Sequence, residues 1–386
     1  MTPVFINDFS IVSRLGLTRD ETRRNLTSAA PPRPDTQFAI SERQSTVVAA
    51  LPRELPSTAY GRTRTNQIAS ILLSQIDGSI QAMRARFPAQ RIAGVIGTST
   101  TGIEEAIAPL SERLETGNWN SDYRFSDQEL GDTAMFLKSA VGLTGPCFSV
   151  STACTSGSKA LAAGARLIQS GIADTVVCGG VDSVSRLTTN GFAALDSVSP
   201  EPCLPFSVNR QGINIGEGGA LFLLSNSPGP WRLEGWGESS DAYHLSSPDP
   251  SGAGAEIAVN AAFARAGVSA ADIGFVHLHG TATLLNDAME AALVDRVFGA
   301  ETACASTKGM TGHTLGAAGA LQLAVNLLAM EGGWYPPHVF DGACDPALAQ
   351  IRLAALQEAS ERVVDRSICL SYAFGGSNVA LIAARG

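Results

Sequence analysis

One of the seven cysteines lies where a chain could place a nucleophile. Cys154 follows a β-branched run, and an Ala-rich helical pattern begins two residues later at Ser156. A side chain on such a turn lies at the carboxyl edge of a sheet, where free helix amides favour a thiolate and can donate to an oxyanion. We therefore expect Cys154 to be a nucleophile with a lowered pKa. The flanking small residues also fit a buried structural cysteine.

Two of the five histidines lie in turns rich in glycine and threonine. His279 ends an apolar segment before Gly-Thr-Ala-Thr, and His313 precedes a long apolar helical pattern. A nucleophile, a base and oxyanion donors together form the set that acyl transfer needs. The alternative for a histidine at a helix start is a cap or a surface residue.

Two further residues near these histidines, His277 and Lys308, could each have more than one role. His277 shares a strand face with His279 by alternation, so the pair could bind a metal, but no nearby Asp, Glu or Cys completes a ligand set. We expect no metal. Lys308 lies five residues before His313 and is one of three lysines in the chain. It could belong to the site or be a solvated lysine beside a glycine turn.

The elements that must position these residues alternate between strand and helix. In the first half we predict irregular chain over 29–57, a helix over 62–86, strands at 92–97, 147–154 and 175–180, and a helix at 156–170. In the second half we predict helices at 257–266, 287–298 and 314–330, with strands at 273–279 and 302–306. Strand, helix, strand implies a parallel sheet, so two α/β halves packed together are expected. The Ser/Pro/Gly-rich run at 225–231 divides the chain into residues 1–228 and 229–386.

Composition excludes several classes of protein. The 386 residues are 45% hydrophobic and 16% charged, with a net charge of -9, which excludes a disordered chain and argues against a nucleic-acid partner. We see no apolar run near 18 residues and no basic N-terminal signal, so we expect no membrane span and a cytoplasmic location. An odd number of cysteines without a C-x-x-C pair argues against disulfides and zinc.

Four motifs occur in a fixed order along the chain. They are Thr-Ala-Cys-Thr-Ser-Gly around Cys154, His-Gly-Thr-Ala-Thr from His279, Thr-Lys-Gly-Met-Thr-Gly-His-Thr-Leu-Gly-Ala-Ala-Gly around His313, and Phe-Gly-Gly-Ser-Asn from Phe374. Together they resemble the β-ketoacyl-acyl-carrier-protein synthases of the thiolase superfamily, over essentially the whole chain. The resemblance implies a five-layered αβαβα fold from two similar halves and an acyltransferase that is a homodimer or a heterodimer with a related subunit.

The resemblance also implies a role for each matched residue. Cys154 would take an acyl chain as a thioester, and its amide would share an oxyanion hole with that of Phe374. His279 and His313 would promote decarboxylation of a malonyl thioester and stabilise the enolate, with Lys308 anchoring the network. Thr281 and Thr283 match residues that hold the phosphopantetheine arm of an acyl-carrier protein. No other cofactor is expected.

The chemistry of a Claisen condensation is consistent with these roles. Negative charge develops on two thioester oxygens in turn, so the site needs backbone amides for one and neutral imidazole donors for the other. A nearby cation keeps imidazoles neutral, and the compact ammonium of Lys308 fits a crowded site better than a guanidinium.

This chain departs from the family pattern at several positions. Gln322 occupies the position of a glutamate that pairs with the lysine, so we expect Lys308 to be less compensated. Ser207 replaces a frequent Asp, and Leu284 a frequent Pro. These departures look more like specialised synthases of pigment or polyene pathways than like housekeeping fatty-acid enzymes.

The carrier-protein partner is normally acidic, whereas this chain is itself acidic. A basic patch is therefore needed, and Arg62 and Arg64 lie where relatives place carrier-binding cations. Ordinary surface charge is the alternative for both.

Three related activities compete with this assignment. A thiolase-type acyl-CoA acyltransferase needs a second catalytic cysteine, and Cys369 lies in a strand pattern instead of a Gly-rich turn. An initiating synthase would pair the cysteine with one His and one Asn. A chain-length partner in a synthase heterodimer typically lacks the cysteine. The other six cysteines are expected to be structural.

Overall fold

The structure, a computed structural model, describes residues 2–42, 44–360 and 364–386. Met1, Arg43 and residues 361–363 of the segments above therefore lie outside it. The described strands are β1 Phe5–Val12, β2 Thr36–Ala39, β3 Ser45–Val48, β4 Ile92–Gly97, β5 Cys147–Val150, β6 Thr175–Asp182, β7 Gly218–Ser225, β8 Trp231–Ser240, β9 Phe275–His277, β10 Ala303–Ala305, β11 Arg352–Leu353, β12 Arg366–Ala373 and β13 Ser377–Arg385. The described α-helices are α1 Arg19–Leu26, α2 Arg64–Gln75, α3 Asp77–Arg86, α4 Ile103–Thr116, α5 Asp132–Val141, α6 Ser156–Gln169, α7 Arg186–Ala193, α8 Ala253–Ala266, α9 Leu284–Phe298, α10 Lys308–Thr311 and α11 Ala318–Gly332.

Two sets of five strands repeat one order. The first set runs β1-β7-β6-β4-β5, and the second runs β8-β13-β12-β9-β10 with β11 at its edge. We number the five strands of each set in chain order, without the hairpin strands β2 and β3 and the edge strand β11. In both sets the strands then lie side by side in the order first, fifth, fourth, second and third. Strands β1 and β8 pair through Phe5 with Arg232 and Ile6 with Trp231, and this pairing joins the two sets into one 11-stranded sheet. The predicted division at residues 228 and 229 lies in the turn between β7 and β8.

Helices lie on both faces of each set of strands. Helices α6 and α11 contact each other and contact strands from both sets, so they form a central layer. Helices α2 and α5 pack on the outer face of the first set, and α8 packs on the outer face of the second. The result is five layers in the order αβαβα, as predicted.

The statement that the sequence has no apolar run near 18 residues is wrong, because the central helix α11 lies in such a run. The window Leu315–Gly332 is long and apolar enough to cross a membrane by composition. In the structure 89% of that window is buried inside the protein. A helix enclosed on all sides needs no polar face, so this one is a core helix.

Most predicted elements are confirmed, with differences at their ends. The predicted helix over 62–86 is two helices that meet at Ile76, and the predicted strand over 147–154 ends at Val150. The segment 29–57 is not wholly irregular, because β2 and β3 form an antiparallel hairpin within it. Val47 and Val48 of this hairpin are buried, which stabilises two strands too short to be seen as a pattern.

The sheet brings distant segments of the chain to one place. Strand β9 pairs in parallel with both β10 and β12, so the carboxyl ends of all three lie at one edge. His279, Lys308 and Phe374 follow these three ends, at most three residues beyond them.

Candidate active site

Cys154 lies on a sharp turn between β5 and α6. Ala153 has a φ of 51°, a left-handed conformation that is uncommon for a residue with a side chain. The Ser156 hydroxyl holds the turn, because it accepts from the Thr152 amide at 2.9 Å and donates to the Ala153 carbonyl at 2.6 Å. The turn buries the Cys154 side chain between the two halves.

His313 is in direct contact with this cysteine. Its Nε2 atom lies 3.0 Å from the Sγ atom of Cys154. The main chain of His313 is fixed on both sides, since its amide donates to the Asn214 carbonyl at 2.7 Å and its carbonyl accepts from the Gly216 amide at 3.0 Å. The imidazole is thereby held where it can accept the thiol proton.

His279 completes a group of three side chains. Its ring lies edge-on to that of His313, with 5.3 Å between the ring centroids. The side-chain ligand atoms of Cys154, His279 and His313 all lie within 4.8 Å of one another. That spacing would also suit a metal ion, and the absence of a metal stays an expectation. No carboxylate joins the three among the described residues.

Two buried charges hold the main chain of His279. The Lys308 ammonium donates to the His279 carbonyl oxygen. The Glu290 carboxylate accepts from the His279 amide at 2.6 Å and from the Gly280 amide at 2.7 Å. Sequence reasoning missed Glu290. Its signal was an Asp287/Glu290 pair one turn apart on α9, in a segment that follows the His279 turn directly.

Burial and Lys308 together set the protonation of the site. Burial lowers the pKa of both His279 and His313 well below the ordinary value, and the charge of Lys308 lowers them further. Burial also lowers the pKa of Lys308 and raises that of Glu290, while the attraction between the two opposes both shifts. Both imidazoles are therefore neutral at physiological pH.

The expectation of a lowered cysteine pKa is wrong. Burial raises the pKa of the Cys154 thiol to about 11, although Lys308 and the backbone amides of Cys154 and Phe374 all act to lower it. The resting group is thus a thiol. Its proton must leave as the sulfur attacks, and neutral His313 is the group in contact to accept it.

Phe374 follows β12 and lines the same cavity as Cys154. Its amide is one of the two that interact with the Cys154 sulfur, as an oxyanion hole requires. Its ring packs against Phe192 at 5.5 Å between centroids. Gly375 and Gly376 have φ values of 89° and 79°, a backbone region that favours glycine, so this turn depends on both.

A cavity of about 340 Å³ gives access to the three reactive side chains. Thr281 and Thr283 line it and lie within hydrogen-bonding distance of each other, with 2.9 Å between their hydroxyl oxygens. Both hydroxyls are thus placed beside the path to Cys154, as residues that hold a substrate arm would be.

Two residues considered from the sequence lie outside the reactive group. His277 bonds Asn326 at 2.7 Å and Thr307 at 3.1 Å through its two ring nitrogens, so it is a satisfied core histidine. Cys369 is buried in β12, where its sulfur accepts from the Asn326 amide at 3.2 Å. Of the cysteines expected to be structural, Cys344 is exposed.

The expected effect of Gln322 on Lys308 is also corrected. The side-chain amide of Gln322 donates to the carbonyls of Leu278 and Leu370, at 2.7 and 3.3 Å. Among the neighbouring acidic groups, Glu290 acts most strongly to raise the pKa of Lys308. The lysine is therefore compensated from α9, a different helix.

Arg62 and Arg64 lie away from the cavity and differ from each other. The Arg64 guanidinium bonds the buried Glu217 carboxylate at 2.6 Å and the carbonyls of residues 52 and 53. Arg62 is half-exposed and pairs with Asp127 at 2.9 Å. A carrier-docking role for these arginines stays a prediction, and the structure gives Arg64 an internal partner.

Comparison with known proteins identifies the family. The model described as "Beta-ketoacyl synthase, N-terminal domain" matches residues 80–228, and that described as "Beta-ketoacyl synthase, C-terminal domain" matches 232–340. The tetracenomycin polyketide synthase ketoacyl synthase alpha subunit of Streptomyces glaucescens is 33% identical over 325 residues, 77% of this chain and 75% of that protein. A 3-oxoacyl-[acyl-carrier-protein] synthase 2 of Vibrio cholerae is 33% identical over 314 residues, 76% of each chain.

A solved structure matches over the full length. A chain of the ketosynthase in complex with its chain length factor from Xenorhabdus doucetiae is 37% identical, with a TM-score of 0.93, and the match covers 100% of this chain and 98% of that one. The residues of the cavity, the repeated strand order and these matches agree. The chain therefore belongs to the β-ketoacyl synthase family and is an acyltransferase with a thiolase-like α/β fold.

Proposed function

We propose that the protein is a β-ketoacyl-acyl-carrier-protein synthase that extends an acyl chain by two carbons. The observation that supports this most directly is the 3.0 Å contact between Cys154 Sγ and His313 Nε2 beneath the amides of Cys154 and Phe374. A thiol, a neutral base and two oxyanion donors are the groups that thioester exchange requires.

In the first half-reaction the sulfur of Cys154 attacks the carbonyl of an acyl thioester. The thiol proton passes to His313 Nε2, and the thioester oxygen becomes an oxyanion between the amides of Cys154 and Phe374. The carbon–sulfur bond to the carrier then breaks, and its thiolate takes the proton. The product is an acyl group on Cys154.

In the second half-reaction a malonyl thioester occupies the same cavity. Its carboxylate leaves as CO₂, and the electron pair becomes an enolate whose oxygen accepts from the N–H groups of neutral His279 and His313. For this step His313 carries its proton on Nε2, the tautomer opposite to the one that accepts the thiol proton. The enolate carbon attacks the acyl carbonyl, the bond to Cys154 breaks, and the released thiolate takes up one proton from solvent to return to the resting thiol. Lys308 and Glu290 hold the main chain of His279 in place, so they are positioning residues.

Intact-mass measurement with a panel of acyl-carrier proteins tests the first half-reaction. The unmodified protein should gain the mass of one acyl group, and Cys154→Ala should gain none. An adduct on the Cys154→Ala variant, or none on the unmodified protein with any donor, would refute the assignment. Decarboxylation of malonyl-carrier protein by His279→Ala and His313→Ala then tests the second half-reaction, and both should be slow.

We also propose that the protein works in the cytoplasm as a dimer, each subunit made of the halves 1–228 and 229–386. The full-length match to a chain of a complex with a chain length factor supports a heterodimer with a related subunit in a specialised pathway. Native mass spectrometry tests this. The protein should be a homodimer when produced alone, or a heterodimer when it is produced together with the related synthase subunit. A monomer in both cases would contradict the proposal.

A further inference from the structure

The mouth of the active-site cavity has an apolar rim. Three leucines line the cavity and are nevertheless exposed to solvent: Leu195 at 52%, Leu284 at 64% and Leu285 at 58%. Leu195 lies just after α7, whereas Leu284 and Leu285 form the first turn of α9. The rim is therefore built from both halves of the chain. Exposed apolar side chains grouped at a functional opening mark an interaction surface.

Among the described residues that line the cavity, none is a free cation. Arg210 is the one Lys or Arg among the cavity-lining residues, and its side chain is only 4% exposed. It bonds Asp345 at 2.6 Å and lies 3.9 Å from Asp287. The charged residue at the mouth that is exposed is Asp196. An acidic partner that docked here through its charge would find Arg210 already paired with Asp345 and would be repelled by the exposed Asp196.

The position of the rim restricts what can occupy it. The Cys154 side chain is buried, and among the described residues it lines this cavity together with Thr281 and Thr283. A protein that delivers a thioester on a flexible arm must stop where the arm enters. Leu284 and Leu285 directly follow Thr283, so such a protein would rest on them.

We infer that Leu195, Leu284 and Leu285 form the docking surface for the acyl-carrier protein, which binds by an apolar patch beside its thioester-bearing arm. This inference rests on the proposed function. It places docking at the cavity mouth and not at Arg62, which pairs with Asp127 beside a separate cavity. Docking by apolar contact also explains how two acidic proteins can associate, because it needs no opposite charge.

The test compares two donors that carry the same acyl group and the same arm. One is the acyl-carrier protein, and the other is the acyl-pantetheine thioester, which has no protein part. The rate of Cys154 acylation is followed by intact mass for Leu195→Asn and for Leu284→Asn/Leu285→Asn. With the carrier the second-order rate constant should fall at least about tenfold more than with acyl-pantetheine, as expected for lost contacts at an interface centre.

Matched controls separate this effect from general damage. Ile257→Asn replaces an equally exposed aliphatic residue on α8, away from the cavity, and should leave the ratio of the two rates unchanged. Arg62→Gln should also leave it unchanged. Raising the salt concentration should weaken carrier-dependent acylation little, because screening acts on charges and not on apolar contacts.

Each contrary result has a separate meaning. If the rate constant falls equally with both donors, the leucines contact the arm or the acyl chain. If it falls with neither donor, the leucines take no part in docking. Either result would overturn the inference. Dissociation of the dimer by the leucine variants in size-exclusion chromatography would assign the rim to subunit association instead. If the unmodified protein is acylated by no donor, the proposed function fails, and the docking inference fails with it.

Discussion

The side-chain amide of Gln322 donates a hydrogen bond of 2.7 Å to the carbonyl oxygen of Leu278, the residue that precedes His279. A second bond of 3.3 Å reaches the Leu370 carbonyl, so this one side chain ties the end of β9 to β12. Gln322 is buried in the central helix α11. It therefore acts on the strand that positions His279 and not on Lys308.

Gln322→Glu should destabilise the protein, and more so as the pH rises. A carboxylate cannot donate to the two carbonyls, so burial and these oxygens would raise the pKa of the introduced carboxyl. Below the ordinary glutamate pKa both the folded and the unfolded protein carry the protonated form, so this charge adds no deficit there. The deficit grows as the pH rises from that ordinary value towards the raised pKa and levels off above it. We expect a loss of about 2 kcal/mol in the free energy of unfolding near pH 8 and a smaller loss near pH 5. Urea titrations of both proteins measure this, and a loss that does not change with pH would contradict it.

Alkylation of Cys154 should show a thiol and not a preformed thiolate. Because burial raises its pKa to about 11, the reactive fraction should rise with pH throughout the neutral range. We expect the iodoacetamide rate, followed by peptide mapping to exclude the exposed Cys344, to increase about tenfold per pH unit from roughly pH 7 to pH 9. A plateau near neutral pH would mean that the helix amides and Lys308 outweigh burial.

Lys308→Met should slow malonyl decarboxylation and change its pH dependence. The change removes the bond to the His279 carbonyl and the cation that lowers the pKa of both imidazoles. We expect a loss on the order of a hundredfold, within the usual range for a disturbed acid–base group. Without the cation both imidazole pKa values rise, so the acid limb of the pH–rate profile should move to higher pH. Lys138→Met on α5 is the matched control, and an unmoved acid limb in Lys308→Met would contradict the electrostatic role.

Arg64→Gln and Arg62→Gln should differ strongly in stability. The first leaves the buried Glu217 carboxylate without its cation, which commonly costs about 3 to 5 kcal/mol. The second removes a half-exposed pair with Asp127, worth under about 1 kcal/mol. Urea unfolding of the two variants measures the difference. Equal stabilities would show that the fold does not need the pair between Arg64 and Glu217.

Tyr372→Phe should leave the protein at least as stable as before. The Tyr372 hydroxyl is buried and has no hydrogen-bond partner among the described residues, while its ring contacts that of His279 at 5.8 Å. Removing an unpaired buried hydroxyl relieves a desolvation penalty of about 1 kcal/mol and keeps the ring contact. Thermal unfolding tests this. A clearly lower midpoint would show that an ordered water satisfies the hydroxyl.

Elements with a strong local pattern could be predicted from the sequence. The helix α6, predicted over 156–170, ends one residue earlier in the structure, and the strand predicted at 92–97 matches β4. Both carry their signal within a short window, the first in its Ala-rich composition and the second in a continuous apolar run. The hairpin β2/β3 was missed because its four-residue strands depend on burial against distant residues.

The reactive residues could also be recognised from residue types and spacing. Cys154, His279 and His313 each lie at a turn next to a strong strand or helix pattern, and Lys308, one of three lysines, lies five residues before His313. The structure brings all four together, through the parallel pairing of β9 with its neighbours and the packing of α6 against α11.

The tertiary structure alone decided the electrostatics of the site. The sequence placed Cys154 at a helix start, where a local argument lowers its pKa, but burial between the two halves raises it instead. The family pattern also implied that Lys308 is less compensated because Gln322 occupies the usual glutamate position, whereas α9 brings the carboxyl group of Glu290 near Lys308. Local patterns determine which residues are candidates for chemistry. Charge and proton affinity depend on desolvation and on neighbours from distant segments, so only the folded chain settles them.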